Sequence, residues 1–211
     1  MTRSHRTSAF IASFTLLALM PALAKAEQSG AEERERNAYV VFKGGPYFPT
    51  ATNAVDALGG ITLTWPVSYA LELGLGGYWG LFGLQLSAGY QTTGTSDADV
   101  HAVPILLLAR VRLPLGFVAP YLEGGAGVSI ATSTFKTIVQ GQSLSSTEAA
   151  FEAVGGAGVD IYLGPLLLGA ELKYIWLDPS FDFSGVTGVP SFTQKLNMSG
   201  ITVVAYVGYR F

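Results

Sequence analysis

From Ile201 to the last residue the chain alternates without a break. Ile201, Val203, Ala205, Val207, Tyr209 and Phe211 fall on one face of an extended strand, and Thr202, Val204, Tyr206, Gly208 and Arg210 fall on the other. A period of two marks a strand whose faces meet different surroundings. Ending it on Tyr209-Arg210-Phe211 wastes apolar area in water. In a bilayer it does not, because aromatic rings girdle both rims of transmembrane barrels. The constraint is therefore one of solvent: which face meets water and which meets lipid.

The start of the chain reads as an export signal. Arg3, His5 and Arg6 precede an apolar run from Ala9 to Met20, and Ala24-Lys25-Ala26 fits a small-x-small cleavage site. That run is well short of the roughly 20 residues of a spanning helix. Residues 1–26 are expected to be removed, leaving 185 residues, enough for one domain. Loss of Arg3, Arg6 and Lys25 leaves nine basic residues against fifteen acidic, a net charge of −6. With acidic residues in excess, no basic surplus is left for nucleic acid. The absence of cysteine excludes disulfides, thiol catalysis and a thiolate metal site, and neither metal nor cofactor is expected.

Charged residues make up 13% of the chain and apolar residues 49%, where a soluble domain has about a quarter charged. Yet no mature stretch approaches 20 uninterrupted apolar residues. High hydropathy without a spanning helix leaves a closed sheet as the way to satisfy backbone groups in lipid.

Residues 27–37 (EQSGAEERERN) read as a flexible periplasmic lead-in. Strands are expected at about 38–48, 57–65, 69–92, 99–113, 119–133, 147–163, 166–178 and 197–211, an eight-stranded antiparallel up-and-down transmembrane β-barrel over 38–211. Pro66-Val67-Ser68, Pro114 to Phe117 and Gly164-Pro165 are short connectors, expected on the periplasmic side. Pro49 to Asp56, Thr93 to Ala98, Thr134 to Ser146 and Asp178 to Leu196 are longer and are expected outside. The third strand is awkward, because Leu71, Leu73 and Leu75 share one parity while Leu84, Leu86 and Ala88 share the other. A bulge or break between Gly76 and Gly83 is expected to shift the register.

Parity sorts the rest. One face collects Val40, Phe42, Ile61, Leu63, Trp65, Leu71, Leu73, Leu75, Ile105, Leu107, Val111, Leu122, Val128, Ile130, Phe151, Leu168, Leu172, Tyr174 and Trp176, without a charge. The other collects Lys43, Glu72, Arg110, Arg112, Glu123, Glu152, Asp160, Glu171, Lys173 and Arg210, five of each sign. A soluble barrel would put the apolar face inside. The glycines interleaved with the charges, and the aromatic ends of the apolar face, instead place the charges in the lumen and the apolar face in lipid. Eight strands enclose just enough room for side chains. Interior packing of ion pairs is thus the favoured reading of the ten charges, with a gated conduction path as the alternative.

Three segments carry a family resemblance: Lys43-Gly44-Gly45-Pro46-Tyr47-Phe48-Pro49, Ala119-Pro120-Tyr121-Leu122-Glu123-Gly124-Gly125-Ala126-Gly127, and Tyr206-Val207-Gly208-Tyr209-Arg210-Phe211. On these the chain resembles the small outer-membrane β-barrel proteins of Gram-negative bacteria. That superfamily holds the barrel of outer-membrane protein A, the opacity adhesins and the outer-membrane protein W group. The resemblance implies an integral outer-membrane protein, a monomer surrounded by outer-membrane lipid and lipopolysaccharide. Tyr209 and Phe211 would be its signal to the barrel-assembly machinery. Members serve as structural proteins, adhesins, evasion factors or narrow pores, so the motifs specify family better than activity.

Catalysis is not expected. Ser96, Asp97, Asp99 and His101 could be drawn as a triad, but such residues are ordinary in a polar loop. Phe181, Phe183 and Phe192, with Val186 and Val189, make the last loop unusually apolar. They would form a hydrophobic ligand mouth or partner surface, or else dip back onto the rim or the lipid interface. No extracellular partner can be named from these residues.

Overall fold

A computed structural model describes residues 38–50, 52–55, 61–139, 142–183 and 192–211. The expected signal peptide and lead-in lie outside them, as do Val186 and Val189. Twelve strands are formed: β1 (Ala38–Pro49), β2 (Thr52–Val55), β3 (Ile61–Thr64), β4 (Ser68–Trp79), β5 (Phe82–Gly94), β6 (Ala98–Arg112), β7 (Val118–Val139), β8 (Gln142–Leu163), β9 (Leu166–Leu177), β10 (Ser180–Phe183), β11 (Phe192–Lys195) and β12 (Gly200–Arg210). Eight close a barrel in the order β1-β12-β9-β8-β7-β6-β5-β4, every neighbour antiparallel. The remaining four make two hairpins, β2–β3 and β10–β11. No helix occurs among the described residues.

The barrel is inside-out relative to a soluble one. Phe42, Leu73, Leu75, Leu86, Leu107, Leu122, Phe151, Leu172, Trp176 and Val207 are exposed around its circumference. The opposite parity buries Lys43, Arg110, Glu123, Asp160, Glu171 and Lys173. Soluble monomers rarely expose contiguous apolar patches above a few hundred Å2, so a continuous apolar belt around a charged interior defines a transmembrane barrel.

The third strand of the sequence reading is two strands. Trp79 pairs with Phe82 across a two-residue turn, Gly80-Leu81, and a two-residue turn exchanges odd for even positions on the outer face. Outward Leu71, Leu73 and Leu75 are therefore followed by outward Phe82, Leu84 and Leu86. The parity break attributed to a bulge is a hairpin. Gly80 has φ +69°, a left-handed conformation that other residues adopt at a cost.

The count stays at eight because the expected strand over 57–65 is not in the wall. Its described part, β3, pairs only with β2. Trp65, assigned to lipid, is instead 5% exposed within the core. Pro66-Val67-Ser68 accordingly sits at the long-loop end. The side chains of Ile61 and Leu63 lie outside the described set.

One mouth of the barrel thus carries both ends of the described chain and the turns at 80–81, 113–117 and 164–165. The other carries both hairpins, the turn at 95–97 and the tips of β7 and β8. β7 and β8 are 22 residues each, about twice the ~9–11 of a tilted crossing, so they stand above the belt. Their outward residues change accordingly, from Val128 and Ile130 to hydrogen-bonded Thr132–Thr147 (2.9 Å) and Thr134–Ser145 (3.1 Å). An Asp99–Lys136 ion pair at 2.7 Å lies at the same level. The seam joins β12 to β1, and Phe211 donates its backbone N–H to Ala38 O (2.9 Å). Tyr209 and Phe211 are both exposed.

The lipid assignment predicts a position-dependent penalty. Leu107→Arg, at mid-wall, should cost about 2–4 kcal/mol in urea unfolding from lipid vesicles, and Leu115→Arg, in a turn at the rim, about 0–1. Equal, negligible costs would mean the outer wall meets water.

Candidate functional site: the filled lumen and its aromatic cap

The lumen is filled in three layers. At the short-turn end lie Tyr39, Tyr78, Tyr121, Tyr162 and Tyr206, packed as one cluster with Val41, Ala119 and Leu167. Asp160 is their focus, accepting hydrogen bonds from Tyr206 (2.6 Å), Tyr162 (3.0 Å) and Tyr78 (3.2 Å). Arg112 donates to the Tyr162 hydroxyl (3.0 Å) and lies 4.0 Å from the centre of the Tyr78 ring. These tyrosines share strand parity with the charges, a signal present in the sequence but not used there.

The middle layer is a continuous ion network. Lys43 Nζ lies 3.1 Å from Glu72 and 2.7 Å from Glu171. Arg110 bridges Glu123 (2.7 Å) and Glu171 (3.1 Å). Lys173 reaches Glu72 at 2.5 Å and Glu171 at 3.4 Å. Tyr121 joins the layers by donating to Glu171 (2.7 Å), and its ring lies under the Arg110 guanidinium at 4.4 Å. Six side chains from β1, β4, β6, β7 and β9 thereby meet across the lumen. The register leaves space for them: Gly89 faces Glu72, Gly127 faces Glu152, Gly156 faces Lys173, Gly158 faces Glu171 and Gly169 faces Asp160. A Cβ on Gly158 would stand 2.5 Å from the Tyr121 ring.

Four of the ten expected lumen charges lie outside this ion network: Arg112 and Asp160 in the tyrosine layer, and Arg210 and Glu152 elsewhere. Arg210 is at the rim, donating to Gly164 O (3.0 Å) and stacking over the Tyr162 ring at 4.1 Å. Arg210 is the last residue of β12, paired with Tyr39 at the start of β1, and so lies at the mouth beside the turn between β8 and β9. Glu152 is buried but forms no ion pair among the described residues.

The loop-end layer is mainly apolar, with Gln91, Ser133 and Glu152 buried among its side chains. Leu106, Leu108, Val154, Ile175 and Leu177 continue upward into Tyr47, Trp65, Phe135, Leu144, Leu196 and Met198. Phe181 and Phe183 belong to this core at 0% and 3% exposure, so they do not form an apolar loop surface. Phe183 stacks on Phe192 (5.1 Å) and meets the edge of Phe135 (5.2 Å). Ser146 ties β8 to β10 by donating to Asp182 O (2.9 Å), and Tyr47 donates its hydroxyl to Met198 O. The alternation of β10 buries its Phe residues while Ser180 and Asp182 face outward.

The polar loop residues are not assembled into a triad. His101 Nδ1 is hydrogen-bonded to Tyr90 (2.7 Å) and Thr92 (2.9 Å), Ser96 donates to Asp97 (3.0 Å), and Asp99 pairs with Lys136. Glu123 and Glu171 are held by the shared Arg110.

A closed eight-stranded antiparallel barrel is the fold of small outer-membrane β-barrels. Comparison with solved structures finds it in neisserial surface protein A, at 12% identity over 82% of this chain and 99% of that one, with a TM-score of 0.55. A major outer membrane protein of Thermus thermophilus shares it at 11% identity, 82% and 99% coverage and a TM-score of 0.53. So does the outer membrane protein AlkL, at 16% identity, 83% and 90% coverage and a TM-score of 0.50. At such identities the likeness is one of fold. No protein-family model matches the chain, and a search of curated proteins found no match.

Breaking either filled layer should be costly. Arg110→Leu strands Glu123 and removes a partner from Glu171, and should destabilise the barrel by roughly 3–5 kcal/mol. Phe183→Ala should cost about 3–5 kcal/mol by emptying the cap. Urea unfolding of both variants in vesicles checks these values, and a change under about 1 kcal/mol in either would show that its layer does not support the wall.

Proposed function

We propose that this protein is an outer-membrane barrel of a Gram-negative bacterium with a structural or surface-interaction role, closed to solutes and without enzymatic activity. The observation that carries the reading is the Lys43–Glu171–Arg110–Glu123 chain of contacts crossing the lumen, with the Phe181–Phe183 cap above it. A conducting pore needs a continuous aqueous path, and here the middle of the lumen is occupied by mutually paired side chains and its outer end by packed aromatics. The alternative roles of the sequence reading, a narrow pore or a hydrophobic-solute channel, each require one of these layers to move.

In this reading residues 1–26 direct export, Tyr209 and Phe211 present the assembly signal, and the apolar belt sits as a monomer among outer-membrane lipids and lipopolysaccharide. The polar upper parts of β7 and β8, with their outward Thr and Ser residues, are the surface offered beyond the membrane, on the principle that rigid scaffolds present function on their projecting segments.

Planar-bilayer recording tests the closed state. The native chain should give no steady openings, whereas Arg110→Ala combined with Phe181→Ala should conduct. Steady openings in the native chain would overturn the reading. Fractionation tests location: the protein should sediment with outer membranes and shift in gel mobility on boiling.

A further inference from the structure

The strands of the wall end at different heights, and one of them is left with an open side. β8 begins at Gln142, but its pairing with β9 starts only at Glu152, opposite Leu177 where β9 ends. Residues 142–151 therefore pair with β7 alone among the described residues. β10 does not close the free side. Its Phe183 meets Phe135 of β7, on the far side of β8, and its Asp182 carbonyl accepts from the buried Ser146 hydroxyl. The hairpin thus crosses the inner face of β8 and forms no ladder with it. Thr147 is level with Thr132, one rung above exposed Ile130, so residues 143–148 stand beyond the apolar belt.

An open edge presents unpaired N–H and carbonyl groups as a template for another strand, and proteins ordinarily guard such edges with Lys, Pro or a bulge. The segment 142–151, QSLSSTEAAF, holds neither Lys nor Pro, and Glu148 is its only charge. The register shift of this hairpin falls at its tip, between Phe135 and Val139. Outward Ser145 and Thr147 are exposed and small, so no bulky side chain shields the backbone.

Charge selects the kind of strand. At this end of the barrel Asp99 pairs with Lys136 and Asp178 with Lys195, which leaves Asp97, Glu148 and Asp182 without an ion pair among the described residues. Glu148 is on the edge itself, and Asp182 is tied to the edge through Ser146. A second copy of this chain would set these carboxylates against their own kind, and like charges opposite one another destabilise a strand pair.

We propose that residues 143–148 of β8 are a docking edge for an extended, basic segment of another polypeptide, which adds a strand to the wall beyond the membrane. Main-chain hydrogen bonds would supply the affinity, and Lys or Arg side chains beside Glu148 and Asp182 the selectivity. At about 3.4 Å per residue the edge spans roughly 20 Å, the length of an ordinary strand. The inference rests on the surface-interaction reading above. Conductance reports on the lumen and strand addition on this edge, so the two fail separately.

The test is titration of a synthetic peptide of four Lys-Thr repeats, capped at both ends, onto the full chain in phosphatidylcholine vesicles. It should bind, and hydrogen exchange of the 143–148 amides should slow by at least about tenfold. The Glu-Thr counterpart should bind at least about tenfold more weakly. So should the Lys-Thr peptide N-methylated at every residue, which keeps the charge and loses the main-chain donors. Thr147→Lys puts a like charge on the edge and should weaken the Lys-Thr peptide about threefold or more at low salt. Failure of that peptide to bind, equal binding by either control peptide, or slowed exchange only outside 143–148 would overturn the proposal. So would a dimer of the native chain joined through this edge, which chemical cross-linking would detect. The peptide comparisons use the native chain, so they decide even where Thr147→Lys does not fold.

Discussion

Closure of the backbone ladder is the constraint on which the rest depends. Lipid offers no partner for an open N–H or carbonyl, so a sheet in it must have no edge. Here the edge is removed where β12 meets β1, with Phe211 and Ala38 completing the pairing. Closing at eight strands then sets the width of the lumen, which side chains can just fill. Every inward residue must consequently pack or pair, and the tyrosine cluster, the ion network and the aromatic cap are three ways of meeting that demand in one narrow space.

The ion network is bound to this geometry. Buried charges are expensive, and only mutual pairing makes their burial tolerable. Arg110 and Lys43 both reach Glu171, so strands distant in sequence are tied through one carboxylate. Glycines opposite the long side chains relieve the crowding, since a Cβ at Gly158 would collide with Tyr121. A small hollow lies beside Glu152, with Gly89 and Pro104 among the residues that line it.

Much of the wall is legible in the sequence. Parity alone places Leu71, Leu73, Leu75, Ile105, Leu107, Leu122, Phe151, Leu172 and Trp176 outward, and the structure exposes each. The departures fall where parity is silent. A two-residue hairpin at Gly80-Leu81 and a bulge both invert the pattern, so the segment 69–92 reads as one crossing when it is two. Trp65 carries the same alternation as a wall residue, yet it belongs to the buried cap. Parity also puts Arg210 on the inward face, but its place on the last rung of β12 leaves it at the rim, outside the central ion network.

Within the strands of the wall, the sequence by itself determined which residues face lipid and which face the lumen, because strand geometry converts odd and even positions into two solvents. It also determined that the chain must close, since its apolar area is too large for water and too interrupted for a helix. Tertiary structure alone decided which charges meet, that Phe181 and Phe183 turn inward, and that Glu152 forms no ion pair among the described residues. The physical reason is the register of strands far apart in sequence. Contacts across a barrel depend on stagger and tilt summed around the whole circumference, and no local pattern records that sum.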